Sequence, residues 1–325
     1  MQVKTDIKRL MLEITSHCNL HCPQCPRFQE DGHLQKFLTP DHLDFNVLKN
    51  SIGDHVLSNL DEVIFEGDYG DCVMHPQIDQ YIEFFKNVPL VTIFTNGSIR
   101  NSKWYEKIAQ YSNVEIVFSI DGLEDTNHIY RINSNWKKIV ENVSSFTKSG
   151  GTAHWKFLVF KHNQHQIDKA KELSQKLGFA SFDAVHTNRN FFNKESWPVM
   201  IDGEYQYDLL ISDSKNVNRE KTSIIASSEA EKFNCPGCNK YWINTLYINH
   251  KGCVLPCCMT SGVTWSNGMS DRLFKKIIGN LDDIDLHINT VDDILKSDFY
   301  TFKLYESWKS IKTAHHICVW HCTKH

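Results

Sequence analysis

Hydrophobic residues between positions 9 and 186 follow two patterns that alternate along the chain. Six short runs are nearly continuous in apolar, often β-branched residues, which is typical of strands buried on both faces of a parallel sheet. Between these runs, apolar residues recur three and four positions apart, as on one face of a helix. The predicted strands span residues 10–15, 62–66, 90–95, 114–120, 154–160 and 181–186. We therefore predict repeated strand–helix units around one parallel sheet.

The pattern changes after residue 192. A polar stretch rich in serine and asparagine predicts a connector that carries one helix or a substrate-facing loop. Further on, two apolar runs around a glycine-containing turn predict a hairpin, and helical spacing predicts one more helix. The hairpin covers 245–249 and 254–255, and the helix covers 291–305. The predicted domains are residues 1–192, the connector 193–232, and a small domain at 233–325.

Composition narrows the functional classes. The 325 residues are 41% hydrophobic and 23% charged, which suits a globular protein. With 35 Lys and Arg against 39 Asp and Glu, the net charge of −4 provides no broad basic face, so we expect neither nucleic acid nor a membrane as partner. Charged residues interrupt positions 1–15, where a signal peptide requires an apolar stretch, and we expect a cytoplasmic protein.

Eleven cysteines are unusual for such a protein. A reducing compartment disfavours disulfides, whereas tight local groups of cysteines suit metal or iron–sulfur ligation. The cysteines fall into a group of three, a group of seven and one alone: Cys18, Cys22 and Cys25; Cys235, Cys238, Cys253, Cys257, Cys258, Cys318 and Cys322; and Cys72. The sequence therefore predicts two separate cysteine regions.

The first group places three thiols within eight residues, directly after the first predicted strand. Ligands of parallel sheets bind at the carboxyl ends of the strands, where this loop must lie. Three thiolates on a four-iron cluster leave one iron without a protein ligand, which makes it able to bind a substrate or cofactor. The alternative is a zinc site completed by His17, His21 or His33.

The spacing Cys-x3-Cys-x2-Cys resembles the hallmark of the radical S-adenosylmethionine (radical SAM) superfamily. The resemblance implies an α/β fold, a partial (β/α)6 TIM-like barrel with a small C-terminal α+β cluster-binding domain. It also implies a catalytic [4Fe–4S] cluster on Cys18, Cys22 and Cys25, with SAM as cofactor. Gln24 stands where the family usually has an aromatic residue beside the adenine.

Further similarities follow in the family's order along the chain. The segment from Tyr69 to Cys72 takes the place of a Gly-Gly-Glu-Pro motif, which implies that Gly70 and Asp71 receive the methionine amino group of SAM. Three turn residues resemble those that line the cofactor: Asn96, Ser119 and Asp121. Arg131 resembles the arginine that holds the methionine carboxylate. The alternatives are an ordinary acidic turn after a strand and a surface salt bridge.

Cys72 occupies the place of the proline in that motif. A thiol beside the cofactor could donate a hydrogen atom to a substrate radical, as in some peptide epimerases of the superfamily. The simpler interpretation is a small residue that fills the turn, and this is the one we favour.

The second cysteine region resembles the twitch or SPASM extension of many radical SAM enzymes, which binds auxiliary iron–sulfur clusters. The resemblance implies one auxiliary cluster, expected to be [4Fe–4S], with four cysteine ligands: Cys238, Cys257, Cys318 and Cys322. Three others could replace one of them: Cys235, Cys253 and Cys258. A structural zinc on four cysteines is the alternative, because tetrahedral thiolate ligation serves both.

Together these features predict a radical SAM enzyme of the oxidoreductase or maturase type. Such an enzyme cleaves SAM reductively to a 5'-deoxyadenosyl radical, which abstracts a substrate hydrogen, and requires an electron donor such as flavodoxin or ferredoxin. We expect a peptide or protein side chain as substrate, with a small molecule such as a sugar, alcohol or nucleoside as the alternative. A non-enzymatic metal-binding scaffold is the alternative of another class. The sequence assigns no catalytic acid or base.

Overall fold

A computed structural model describes residues 6–186, 195–213, 218–219, 244–264, 269–310, 312–315 and 318. Its main sheet has nine strands in the order β11-β10-β1-β2-β3-β4-β5-β6-β9. All neighbours pair in parallel except β10 with β11. The strands of this sheet are β1 (Arg9–Leu12), β2 (Glu62–Phe65), β3 (Leu90–Thr95), β4 (Val114–Ser119), β5 (Thr152–Val159), β6 (Ser181–His186), β9 (Asn218–Arg219), β10 (Thr245–Ile248) and β11 (Val254–Leu255).

In the described ranges, seven helices connect the parallel strands β1 to β6, and three more follow the last strand, β11. They are α1 (Phe45–Ser51), α2 (Asp54–Asn59), α3 (Ile78–Phe84), α4 (Ser102–Ile108), α5 (Asn127–Tyr130), α6 (Trp136–Lys148), α7 (Ile167–Lys176), α8 (Met269–Ile278), α9 (Val291–Lys296) and α10 (Leu304–Ser307). The Phe118 ring of β4 contacts Tyr105 of α4 and Phe146 of α6. Because neighbouring residues of a strand point to opposite faces, Ser119 lies on the face away from these helices.

The six predicted strands of the parallel sheet are all present, and so is the hairpin of β10 and β11. The first strand is shorter than predicted and ends at Leu12. The helix predicted over 291–305 is broken at Ser297, which is extended with φ −63° and ψ 157°. Its amide caps α9 by donating to the Ile294 carbonyl, and a π-helical turn (Phe299–Lys303) and α10 follow. Serine favours helix ends over interiors, which explains the break.

The connector contains an antiparallel hairpin where a helix or a loop was predicted. Strands β7 (Ser196–Ile201) and β8 (Glu204–Leu210) form a separate two-stranded sheet. Asp202 and Gly203 form the turn, both with positive φ, which is the usual backbone of a tight hairpin turn. The Asp-Gly pair between two apolar runs is a sequence signal for this hairpin.

Strand β10 pairs in parallel with β1, residue for residue from Arg9 with Thr245 to Leu12 with Ile248. The cysteine-rich region therefore continues the sheet that begins the chain. Apolar residues of both parts share one core, as Leu10, Ile248 and Phe299 illustrate. The division into three domains stays a prediction. No helix in the described ranges combines the length and the apolar composition needed to cross a membrane.

Candidate functional site

The three cysteines of the first group lie on the loop that follows β1. All three residues are partly exposed, and none of their thiols forms a disulfide within the described ranges. The loop is fixed by the buried guanidinium of Arg27, which donates hydrogen bonds to the backbone carbonyls of Ser16 and, at 2.5 Å, of Tyr69. This ties the cysteine loop to the segment that follows β2. The predicted position of the loop, at the carboxyl edge of the sheet, is confirmed.

The electrostatics of these thiols suit a cationic group. Burial raises the pKa of Cys18 to about 12 and that of Cys22 to about 11. A neighbouring thiol adds to each shift, Cys22 to that of Cys18 and Cys25 to that of Cys22. Neutral thiols are thus favoured unless metal ions take the place of the protons. Arg131 Nη1 lies 3.9 Å from Cys22 Sγ and favours the thiolate there. In the described ranges, no three Cys, His, Asp or Glu side chains are gathered as ligands of a metal ion.

Asp71 is buried at the end of β2 and accepts four hydrogen bonds. Its Oδ2 accepts from the Thr95 hydroxyl at 3.0 Å, the Asn96 amide N–H at 2.8 Å and the Asn96 side chain at 2.7 Å, while Oδ1 accepts from Val73 N–H at 3.1 Å. All four donors are neutral. Burial raises the pKa of Asp71 to about 6, against the effect of these hydrogen bonds. The structure thus brings two of the predicted site residues into direct contact.

Asn19, inside the cysteine motif, joins the same network, although no sequence pattern marks it as a site residue. It accepts a hydrogen bond from Asn96 at 2.9 Å and donates one to the Ser98 hydroxyl at 3.0 Å. The cysteine loop is therefore bound to the end of β3 as well as to the segment after β2.

Gly70 brings the backbone of this segment against the cysteine loop. A Cβ atom at this position would lie 2.0 Å from the Thr15 carbonyl oxygen and 3.0 Å from Ser16 Cα. Real carbon atoms do not approach an oxygen so closely, so only glycine fits here. The close approach expected of Gly70 is present, made to the protein's own backbone.

Asp121 and Arg131 form an ion pair at the end of β4, with Asp121 fully buried and Arg131 partly buried. Arg131 Nε donates to Asp121 Oδ2 at 2.5 Å, and Asp121 Oδ1 accepts from Leu158 N–H at 2.7 Å. Burial raises the pKa of Asp121 and Arg131 opposes this shift. Burial also disfavours the guanidinium charge, yet Asp121 and Cys22 together raise the pKa of Arg131. The pair is internal, so a simple surface salt bridge does not describe it.

Ser119, at the end of the same strand, is partly exposed on the sheet face opposite the helices. Within the described ranges its hydroxyl has no hydrogen-bond partner, so it is available to a ligand.

Gln24 lines a cavity of about 330 Å³ between the cysteine loop and β7. The cavity wall includes Cys22 and Cys25 on one side and Trp197 and Met200 on the other. Gly32 allows the cysteine loop and β7 to approach closely, because a Cβ atom at this position would lie 2.2 Å from the Met200 carbonyl oxygen. The sequence did not predict that residues of β7 line this cavity, although the Asp-Gly turn is a signal for the hairpin that contains β7.

Cys72 lies 4% exposed in the main core, away from solvent. Its Sγ contacts the carbonyl oxygens of Phe94 at 3.5 Å and Phe65 at 3.8 Å, at the ends of β3 and β2. These contacts suit a protonated thiol that closes the turn, which agrees with the interpretation favoured from the sequence.

The second cysteine region is described in part. Cys257 and Cys318 are buried, at 6% and 5% exposure, and both lie outside the apolar core clusters. Cys253 belongs to the main core, where its amide donates to Asn249. Cys258 lies near the carboxylates of Asp68 and Glu66, which follow burial among the causes that raise its thiol pKa. Three other predicted or alternative ligands lie outside the described residues: Cys235, Cys238 and Cys322.

No family model and no curated protein matches the chain. Several solved structures do match the chain. Streptococcus suis SuiB bound to S-adenosylmethionine is 14% identical with a TM-score of 0.54, over 82% of this chain and 64% of SuiB. SuiB bound to precursor peptide SuiA is 13% identical with a TM-score of 0.55, over 83% and 63%. The anSMEcpe protein with AdoMet and the Kp18Cys peptide is 12% identical with a TM-score of 0.51, over 90% and 81%.

These structures belong to radical SAM enzymes, and the similarity covers most of this chain. The predicted fold class is therefore confirmed: a parallel sheet of the radical SAM partial-barrel type with a small C-terminal region. The chain spans less than two thirds of the length of SuiB.

Proposed function

We propose that this protein is a radical SAM enzyme that binds a [4Fe–4S] cluster through Cys18, Cys22 and Cys25. One observation carries the proposal: three thiols that form no disulfide share a single loop at the carboxyl edge of a sheet that has the radical SAM fold. A fold does not determine a reaction. The proposal therefore depends on the three cysteine side chains. Thiolates are the protein ligands of iron–sulfur clusters, and the two arginines near the loop, Arg27 and Arg131, favour their ionised form.

When bound, the cluster and SAM supply an electron and the 5'-deoxyadenosyl radical that abstracts a hydrogen atom from the substrate. The protein's own residues hold the cofactor. Asp71, ionised above about pH 6, accepts from the methionine amino group beside Gly70, and Asn96 orients that carboxylate. Arg131 uses Nε for Asp121 and offers its terminal nitrogens to the methionine carboxylate. The Ser119 hydroxyl is available to the ribose.

We assign an auxiliary cluster, expected to be [4Fe–4S], to the second cysteine region. Cys257 and Cys318 are its best supported ligands, because both are buried without belonging to an apolar core cluster. Cys238 and Cys322 complete the proposed set. A cluster with four thiolate ligands has no open iron, so its role is electron transfer.

The proposed substrate is a peptide or protein side chain. SuiB and anSMEcpe, whose structures this chain resembles, were both solved with a bound peptide. A flavodoxin or ferredoxin is the proposed electron donor. Oxidation or rearrangement of a small molecule is the alternative that a substrate screen would reveal.

The test is anaerobic incubation of the reconstituted protein with SAM and dithionite, with 5'-deoxyadenosine measured by mass spectrometry. We expect iron-dependent release in the wild type and its loss when Cys18, Cys22 and Cys25 are all changed to alanine. Cys72→Ala is the matched control, because it removes a thiol that lies in the core and outside the loop. Zinc in place of iron in the purified protein, or release that persists in the triple variant, would contradict the proposal.

A further inference from the structure

Glu13, directly after β1, is a buried carboxyl group outside the set of residues proposed to bind SAM. It is 1% exposed, and both of its oxygens are engaged. Oε1 accepts from the Tyr69 backbone N–H at 2.6 Å, and Oε2 accepts from the hydroxyl of Tyr247 on β10. Taking a carboxyl group out of water is costly, so its two partners indicate what it does there.

The backbone of Tyr69 is held on both sides. Glu13 accepts from its N–H, while Arg27, which also fixes the cysteine loop, donates to its carbonyl oxygen at 2.5 Å. Gly67 allows this segment to come so close, because a Cβ atom there would lie 2.9 Å from Glu13 Cγ. Tyr69 directly precedes the two residues proposed to receive the methionine amino group of SAM. The two backbone bonds therefore determine where those residues lie.

The same segment is bonded to the second cysteine region at two points. One is the bond from Tyr247 to Glu13, since Tyr247 lies on the strand that leads into this region. The other is Asp68, next to Tyr69, which accepts from the Ser261 hydroxyl at 2.8 Å. Tyr247 precedes the adjacent cysteines 257 and 258, and Ser261 follows them. The position of the segment after β2 therefore depends on both ends of the chain.

We propose that Glu13 is a positioning residue for SAM, which fixes the Tyr69 backbone and is itself fixed by Tyr247. Its removal takes away the acceptor of a buried N–H, which regains a bond only if the backbone moves. This role requires hydrogen bonds and no charge. Burial and the nearby Asp68 raise the pKa of Glu13 well above its ordinary value, which favours the neutral carboxyl group. The inference rests on the proposed function.

The experiment measures the dissociation constant of SAM by anaerobic calorimetry with the cluster-loaded full chain. Glu13→Met keeps the length of the side chain without its oxygens, and we expect it to bind SAM about tenfold more weakly. Glu13→Gln is expected to stay within about twofold of the wild type, because its amide accepts from Tyr69 and donates to the Tyr247 oxygen. Tyr247→Phe is expected to bind about threefold more weakly, and it keeps the test valid where Glu13→Met fails to fold.

A second measurement follows the segment itself. Hydrogen–deuterium exchange, read by mass spectrometry on a peptide that covers residues 67–72, reports how firmly the Tyr69 N–H is held. We expect faster exchange in Glu13→Met and Tyr247→Phe, and exchange at the wild-type rate in Glu13→Gln. Because this measurement needs no SAM, it separates a failure of the inference from a failure of the proposed function.

Tyr81→Phe is the matched control, because it also removes a buried tyrosine hydroxyl, which donates to the Leu43 carbonyl at 2.7 Å. We expect it to lower the urea midpoint while SAM affinity and exchange stay unchanged. Three results would overturn the inference and leave the proposed function intact: wild-type affinity and exchange in Glu13→Met, Glu13→Gln as weak as Glu13→Met, or Tyr81→Phe as weak as Tyr247→Phe. A cluster-loaded wild type that binds no SAM would overturn both.

Discussion

Two buried aspartates stand at the carboxyl edge of the sheet, and the protein stabilises them differently. Asp71, after β2, is 6% exposed and accepts only from neutral groups of Thr95, Asn96 and Val73. Asp121, after β4, is fully buried and faces the guanidinium of Arg131 at 2.5 Å. One carboxylate is held by dipoles and the other by a full charge.

This difference determines which of the two carboxyl groups can change its protonation state near neutral pH. Burial raises the pKa of both carboxyl groups, and for Asp71 the neutral donors leave it at about 6. A full positive charge counters burial at Asp121. The carboxyl group of Asp71 therefore titrates close to physiological pH, whereas Asp121 keeps its ion pair with Arg131. A fixed pair suits a structural support, and a neutral network suits a site that must receive a charged ligand.

We expect the largest loss of stability when the ion pair between Asp121 and Arg131 is broken. Arg131→Met leaves the buried Asp121 carboxylate without its cation, which costs about 3–5 kcal/mol of the free energy of unfolding. Urea denaturation followed by circular dichroism measures the loss. The double variant Asp121→Asn/Arg131→Met removes both charges and is expected to recover part of the stability. A single variant as stable as the wild type would show that the pair contributes nothing.

The second prediction concerns the pH dependence of stability, which we expect from Asp71. The pKa of Asp71 is raised on folding from an ordinary 3.8 to about 6. Its contribution to stability is therefore fully present below about pH 4 and is lost as the pH rises through about 6, by at most about 3 kcal/mol. Asp71→Asn has no such titration. We expect the free energy of unfolding of the wild type to fall relative to Asp71→Asn across this window.

Urea titrations of both proteins at several pH values between about 4 and 7 check this prediction. Arg131 and the other carboxylates are common to both proteins, so their titrations cancel in the difference. A difference that does not change with pH would mean that the Asp71 network leaves its pKa unshifted.

The smallest effect concerns the backbone that presents Asp71. Gly70→Ala places a methyl group 2.0 Å from the Thr15 carbonyl oxygen, so the loop after β2 must move. We expect a loss of about 1–3 kcal/mol, as for other overpacked sites. Tryptophan fluorescence during thermal unfolding measures the loss. Gly150→Ala is the control for an added methyl group that meets no other atom, since nothing lies within 4 Å of that Cβ position. Gly150 has φ +94°, so this control includes the strain of a left-handed alanine.

The sequence predicted the parallel sheet well because its strands are buried on both faces and leave an unbroken apolar signal, as in Leu90–Thr95. It missed the hairpin of β7 and β8, whose exposed residues such as Tyr205 and Gln206 weaken the pattern. Local patterns also could not reveal that Ser297 interrupts the last predicted helix, because the choice between helix interior and cap depends on the surrounding packing.

The candidate site was predictable in its residues and only partly in its contacts. Asp71 and Asn96 were both selected from motifs, yet no local signal indicates that one holds the other over 25 positions of sequence. The same applies to Arg131, whose bond to Asp121 depends on α5, where the Asn127 side chain accepts from the Asp121 backbone N–H. Asn19 and Trp197 were not selected at all, because each acquires its role from a distant partner.

The pairing of β10 with β1 has a consequence for how the chain folds during synthesis. Strand β1 can pair with β2 early, but its other edge waits for residues that emerge from the ribosome about 230 positions later. At about 5–20 residues per second this delay is roughly 10–50 s. Throughout it an apolar strand edge, followed directly by three thiols, lies open to other chains and to oxidants. Protection of the nascent chain by a chaperone therefore matters most for this protein before its last quarter is made.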